Sequence, residues 1–167
     1  MKQNFAREKY KFIDHTADIG VEIFGDDLPS LFANAGYTLF DIITDLSLVR
    51  EKIPQNININ GRNLDEMMVN WLGEFLYVFD TERFLVKKIN IKRLETSFFT
   101  STSGINTSVQ GKMSDEGEYG NLQAEIWGEK YDAHVHVINT TIKAATYHKL
   151  EVVKENNIWH CRVILDV

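Results

Sequence analysis

The sequence predicts an α+β protein: a mixed sheet of short strands with two amphipathic helices packed on it, in a single domain spanning residues 1–167. Three observations carry that expectation. Apolar residues recur at three- and four-residue spacing in two stretches, the mark of a helix with one buried stripe. In other stretches they alternate with polar residues, the mark of a half-buried strand. With 44% hydrophobic and 25% charged residues, a chain of 167 residues can bury an ordinary core without disulfides.

Tyr10 to Ile13 reads as a short extended entry. The turn Asp14-His15-Thr16-Ala17 follows and opens a strand from Asp18 to about Phe24, with Ile19, Val21 and Ile23 on one face and Asp18, Gly20 and Glu22 on the other. Asp27 is a credible N-cap with Pro29 in the first turn, and Leu28, Leu31, Phe32, Ala35, Leu39, Ile42 and Ile43 make the stripe of a helix ending near Asp45. Ile53 to Ile59 is a strand ended by Gly61. Asn63 and Glu66 resemble a capping box for a second helix, whose stripe runs from Leu64 through Met67, Met68, Trp71, Leu72, Phe75 and Leu76 to Phe79, and which Asp80-Thr81-Glu82 closes. A stripe of Met and aromatic residues is core rather than a cofactor pocket.

Strand patterning returns from Phe84 to Ile91. Thr96 to Asn121, rich in Ser, Thr and Gly, reads as an extended hairpin or excursion without chemistry. Leu122 to Trp127 is a strand entering a turn at Gly128-Glu129. Ala133, Val135 and Val137 alternate with His134 and His136, so both imidazoles share one strand face, a weak transition-metal signal. Lys143 to Val153 is the last internal strand, with His148 on the side of Leu150 and Val152 as a hydrogen-bonded core histidine. Ile158 to Val167 is the closing strand, with Trp159, Cys161, Val163 and Leu165 on one face.

The lone Cys161 excludes an internal bridge and a cysteine-rich zinc site, and its place on an apolar face makes it a core residue. Met1 to Lys11 lacks the apolar run of a signal peptide or anchor, and no stretch reaches membrane-spanning length, so a reducing, cytoplasmic location is expected. The net charge of −6 argues against a broad nucleic-acid contact surface and for a cation or a protein partner.

The chemistry concentrates at the two ends of the chain. Asp14, His15 and Asp18 place two carboxylates and an imidazole within five residues, and the closing strand holds Asp166 and the Val167 carboxylate at its end. A cluster of carboxylate oxygens suits a hard divalent ion, and like charges gathered there need such an ion or a lysine, for which Lys143 is the candidate, paired with Asp14 or Asp18.

The segments Asp14 to Gly20, Phe75 to Glu82, Trp127-Gly128-Glu129, Ile142 to His148 and Val163 to Val167 resemble, in order and spacing over nearly the whole chain, those of the archease family. The resemblance implies a non-catalytic protein cofactor that promotes guanylylation and multiple turnover of an RtcB-type tRNA-splicing and RNA-repair ligase. By similarity, Asp18 and Asp166, with Val167 through its main chain or terminus, bind a divalent metal, calcium first and magnesium or manganese next. Asp14, His15 and Lys143 serve activation of the partner. The departures are a long Ser/Thr-rich excursion around 100–119 and Val167 where the family ends in Ile. Two rival readings are a metal-dependent phosphoester hydrolase using Asp14 or His15 as base, and a chaperone-like modulator of another tRNA-processing enzyme such as a methyltransferase.

Overall fold

Seven strands and two helices make up the computed structural model, which describes residues 8–14, 17–97 and 120–167. One sheet has the order β1-β2-β7-β6, formed by Tyr10–Ile13, Ile19–Gly25, Ile158–Asp166 and Ala144–Glu155. The other has the order β3-β5-β4, formed by Ile53–Gly61, Gly120–Lys130 and Phe84–Thr96. Helix α1 is Leu28–Ile43 and α2 is Leu64–Glu82.

The α+β class and the two packed helices are as the sequence predicts, but the strands divide between two sheets, each wholly antiparallel, where one mixed sheet was expected. The connections explain the difference. α1 carries the chain from β2 in the first sheet to β3 in the second, so it closes no parallel pair. α2 links β3 to β4 with a gap between them, and β5 fills it antiparallel to both.

Each helix touches both sheets: α1 packs on β2 and β4, and α2 on β6 and β3. That arrangement buries more than a single stripe. On α1 Leu31, Phe32, Ala35, Gly36, Leu39, Phe40 and Ile43 are all buried. The helices meet through Phe40, edge-on to Phe75 and Phe79 with ring centres 5.8 and 6.4 Å apart. Trp71, fully buried, donates its indole N–H to the Phe32 carbonyl at 2.7 Å, so its polar atom is satisfied inside the core. Gly36 permits the close approach, since a Cβ there would lie 2.5 Å from Phe75 and from Ile89. One continuous apolar cluster joins both helices and both sheets.

The helix starts follow local chemistry. Asp27 accepts from the Ser30 N–H at 2.7 Å while the Ser30 hydroxyl accepts from the Asp27 N–H at 3.0 Å, a reciprocal cap. Asn63 likewise accepts from the Glu66 N–H at 2.8 Å, but the Glu66 carboxylate bonds the N–H and guanidinium of Arg62 instead of closing the box on Asn63. α2 ends on Arg83, in the left-handed region at φ 52°.

Two strand boundaries differ from expectation. β5 runs straight through Gly128-Glu129, where a turn was expected, because Gly128 pairs with both Ile53 and Val86. Its lack of a side chain is required, since a Cβ would lie 1.9 Å from the Leu85 carbonyl oxygen. The stretch 133–137, expected as a strand, is a turn and loop with its N–H groups of Val135 and His136 bonded back to Asp132. Of the Thr96–Asn121 stretch, the ends pair as Thr96 with Gly120, and residues 98–119 lie outside the described residues.

Candidate functional site

At one end of the first sheet, β1 and β7 finish while β2 and β6 begin. Ile13 pairs with Gly20, Ile19 with Leu165, and Ala144 with Asp166. Continuing these registers by one step sets Asp18 opposite Asp166 and Lys143 opposite Val167, with Asp14 directly after Ile13. The structure thus gathers Asp14, Asp18, Lys143, Asp166 and Val167 at one sheet end. His15 lies outside the described residues. The Lys143 main-chain N–H donates to the Asp166 carbonyl at 2.8 Å, and its ammonium donates to the Val167 carbonyl at 2.8 Å. The ammonium meets the end of β7 because β7 separates β6 from β2, which Asp18 directly precedes.

The residues of this sheet that face away from the helices fall into rows. On β7, Cys161, Val163 and Leu165 point into the core at no more than 1% exposure, so Arg162, Ile164 and Asp166 share the opposite face. One row across the four strands is Lys11, Glu22, Arg162 and Glu151; the next is Ile13, Gly20, Ile164 and Thr146; the last holds Asp18, Asp166 and Ala144.

In the first row Glu22, only 5% exposed, receives Lys11 Nζ at 2.6 Å and Arg162 Nε at 3.1 Å, with His160 Nδ1 at 3.4 Å. Burial pushes its carboxyl up, and the hydrogen bonds and charges of Lys11 and Arg162 outweigh that and hold it below the usual range. The middle row is an apolar spacer. The Ile13 side chain lies over Gly20, 2.7 Å from where a Cβ would stand, and Ile164 is buried. The cations of the first row are therefore engaged by Glu22 and kept apart from the last row.

The donor set of that last row is all oxygen: the half-buried carboxylates of Asp18 and Asp166 and the main-chain oxygen of Val167. Directly opposed residues of an antiparallel pair hold their Cβ atoms about 4.5–5.5 Å apart, so the two carboxylates can converge on one ion, and like charges so placed destabilise the pair. Oxygen donors of this kind fit calcium, magnesium or manganese and not a thiolate metal. Among the described residues no three His, Cys, Asp or Glu side chains converge as a complete metal cage. The carboxylate pair can thus supply part of a coordination sphere, with positions left for water or a partner.

Other sequence candidates fall elsewhere. His134 is exposed, whereas His136 is buried; its Nε2 lies 3.2 Å from a Glu129 oxygen and its Nδ1 accepts from the Asp132 N–H at 3.0 Å. The two histidines share no face, because the loop that carries them is not a strand. Accepting at Nδ1 leaves Nε2 as the donor toward Glu129. Glu129 also takes Arg50 Nη2 and Lys52 Nζ, each at 3.1 Å, and the Arg50 N–H at 2.9 Å. Burial pushes this carboxyl up, and these donors outweigh it and hold it at about 2. Gly128-Glu129 reads as a turn in sequence, and only the pairing of β5 on both sides makes Glu129 a buried strand residue.

His148, expected in the core, is exposed. Thr146 pairs with Ile164 and Glu151 with Arg162, so the four residues Tyr147 to Leu150 stand opposite Val163 alone, a wide bulge with Lys149 at φ 56°. The bulge breaks the alternation on which the sequence expectation for His148 rested.

Fold and site together define a two-sheet α+β protein with an open acidic sheet end. Residues 10–167 match the Archease protein family (MTH1598/TM1083), and the chain belongs to that family. It is 29% identical over 160 residues to the protein archease of Sulfurisphaera tokodaii, covering 96% of this chain and 99% of the relative. It is 30% identical over 158 residues to a protein archease of Saccharolobus islandicus, covering 95% and 98%. The solution structure of Methanobacterium thermoautotrophicum protein 1598 superposes with a TM-score of 0.70 at 25% identity, over 95% of this chain and 99% of that one. The crystal structure of an archease, possible chaperone, from Thermotoga maritima shares the fold with a TM-score of 0.54 at 18% identity, over 94% and 96%. Among the described residues no helix is long and apolar enough to cross a membrane.

Proposed function

We propose that this protein is a non-catalytic cofactor of an RtcB-type RNA ligase in the cytoplasm, promoting the ligase's guanylylation and its multiple turnover. The observation that carries the reading is the strand register that sets Asp18 opposite Asp166 at an open sheet end, beside Lys143 and Asp14. In this reading Asp18, Asp166 and the Val167 main-chain oxygen hold a divalent ion, calcium first. The ion supplies positive charge that cancels the opposed carboxylates and leaves coordination positions for a partner's oxygens.

The chain's own residues do the rest. Lys143 fixes the end of β7 through two hydrogen bonds, one from its backbone and one from its ammonium, so the position of Asp166 is set by the sheet rather than by the ion. Asp14, exposed at the end of β1, and Lys143 face the partner, and His15, next to Asp14 in the sequence, is assigned to the same role. Assistance of this kind requires tighter binding to the nucleotide-transfer state of the ligase than to its other states, because a partner that binds all states equally shifts none of them.

A neighbouring reading is a chaperone-like modulator of another tRNA-processing enzyme; the Thermotoga maritima relative is described as a possible chaperone. One experiment separates the two. Ligase guanylylation with GTP and a divalent ion is followed with and without this protein and its Asp18→Ala and Asp166→Ala variants. Faster, repeated turnover with wild type and not with the variants supports the proposal; turnover unchanged by wild type sinks it.

A further inference from the structure

Among the described residues, Thr146 Oγ1 is the buried side-chain polar atom without a hydrogen-bond partner. A hydroxyl held out of water and unpaired is unfavourable, and valine has the same shape without the orphaned group. The row that Thr146 completes is otherwise apolar, with Ile13, Gly20 and Ile164 beside it. Packing therefore does not account for a hydroxyl at this position.

Its neighbours do. Thr146 is paired with Ile164 in the last ladder step before the β6 bulge, and two residues earlier Ala144 is paired with Asp166. Thr146 and Asp166 are thus diagonal neighbours on the same sheet face, about 7 Å apart between main chains and closer between Cβ atoms, a gap that a hydroxyl and a carboxylate close when they turn toward each other. A carboxylate that gives one oxygen to a cation keeps a second oxygen that accepts a hydrogen bond, and donors to it set the orientation of the ligand.

We infer that Thr146 is a positioning residue for the metal-holding carboxylate. With a divalent ion between Asp18 and Asp166, the Thr146 hydroxyl donates to the free oxygen of Asp166 and holds that carboxylate toward the ion. The inference rests on the metal reading above, and it adds a residue that reading does not contain.

The test is calorimetric titration with calcium, with thermal melts in the presence and absence of calcium, on wild type, Thr146→Val and Thr146→Ser. Thr146→Val is expected to weaken calcium binding about 10-fold or more while Thr146→Ser stays close to wild type. Without calcium, Thr146→Val melts at or above wild type, which shows that it folds. Equal calcium affinity in wild type and Thr146→Val overturns the inference and leaves the metal reading standing, as does a loss in Thr146→Ser equal to that in Thr146→Val. A wild type that binds none of calcium, magnesium and manganese overturns both.

Discussion

Two rows of one sheet face, four residues apart along β2, treat carboxylates in opposite ways. Glu22 lies between cations from both neighbouring strands, Lys11 on β1 and Arg162 on β7, and the sheet supplies its whole compensation. Asp18 stands across from another carboxylate, Asp166, with an apolar row between it and those cations. Glu129, in the other sheet, extends the first pattern with Arg50, Lys52 and His136 around one buried carboxylate. The difference teaches how to tell a structural acid from a presented one. A structural acid is buried with its counter-charges in the neighbouring strands, whereas Asp18 and Asp166 are half-buried and meet across the register at a sheet end.

The comparison is tested most severely at Glu129. Glu129→Ala removes the acceptor of the buried His136 ring N–H and of the Arg50 main-chain N–H as well as the partner of two half-exposed cations, and a loss of about 3 kcal/mol is expected. For a chain of this size that lowers the melting temperature by about 10 °C. The pH dependence follows from the carboxyl being held at about 2 in the fold. Its stabilisation is present above the unfolded glutamate range near about 4.3 and is lost as pH falls toward 2. Glu129→Gln should therefore flatten the acid limb of the wild-type stability curve, and an unchanged limb would show that Glu129 is not a structural acid.

Next in size is the effect of calcium. At about a hundredfold excess over its dissociation constant, the ion should raise wild-type stability by about 2.7 kcal/mol, and Asp166→Asn should abolish the gain. Glu22→Gln should cost less, about 1 kcal/mol, since Lys11 and Arg162 are more than half exposed and partly screened by solvent. The smallest effect is expected at the half-buried sheet end: without metal, Asp18→Asn should shift stability by no more than about 1 kcal/mol. Chemical denaturation of both metal-free variants checks this pair. A metal-free Asp18→Asn that loses as much as Glu129→Ala would erase the distinction between the two kinds of acid.

Much of the fold is legible in the residues. The caps at Asp27 and Asn63, the two helical stripes and the inward face Cys161, Val163 and Leu165 all stand where periodicity and side-chain chemistry put them. The gathering of Asp18 and Asp166 at one sheet end was also an expectation, and the register of β2 with β7 has that geometry. What was misread depended on partners. Gly128-Glu129 has the composition of a turn, and only β3 and β4 on either side make it strand. His148 was assigned to the core by an alternation that the β6 bulge interrupts.

The sequence by itself determined the inward faces of both helices and of β2 and β7, because periods of 3.6 and 2.0 residues are written within a dozen neighbouring positions. Only the tertiary structure decided which cations meet the buried acids. One cation for Glu22 comes from Arg162, 140 residues away, and one for Glu129 from Arg50, 79 residues away. No local pattern encodes such a pairing; it exists only once strand order and register bring those residues side by side.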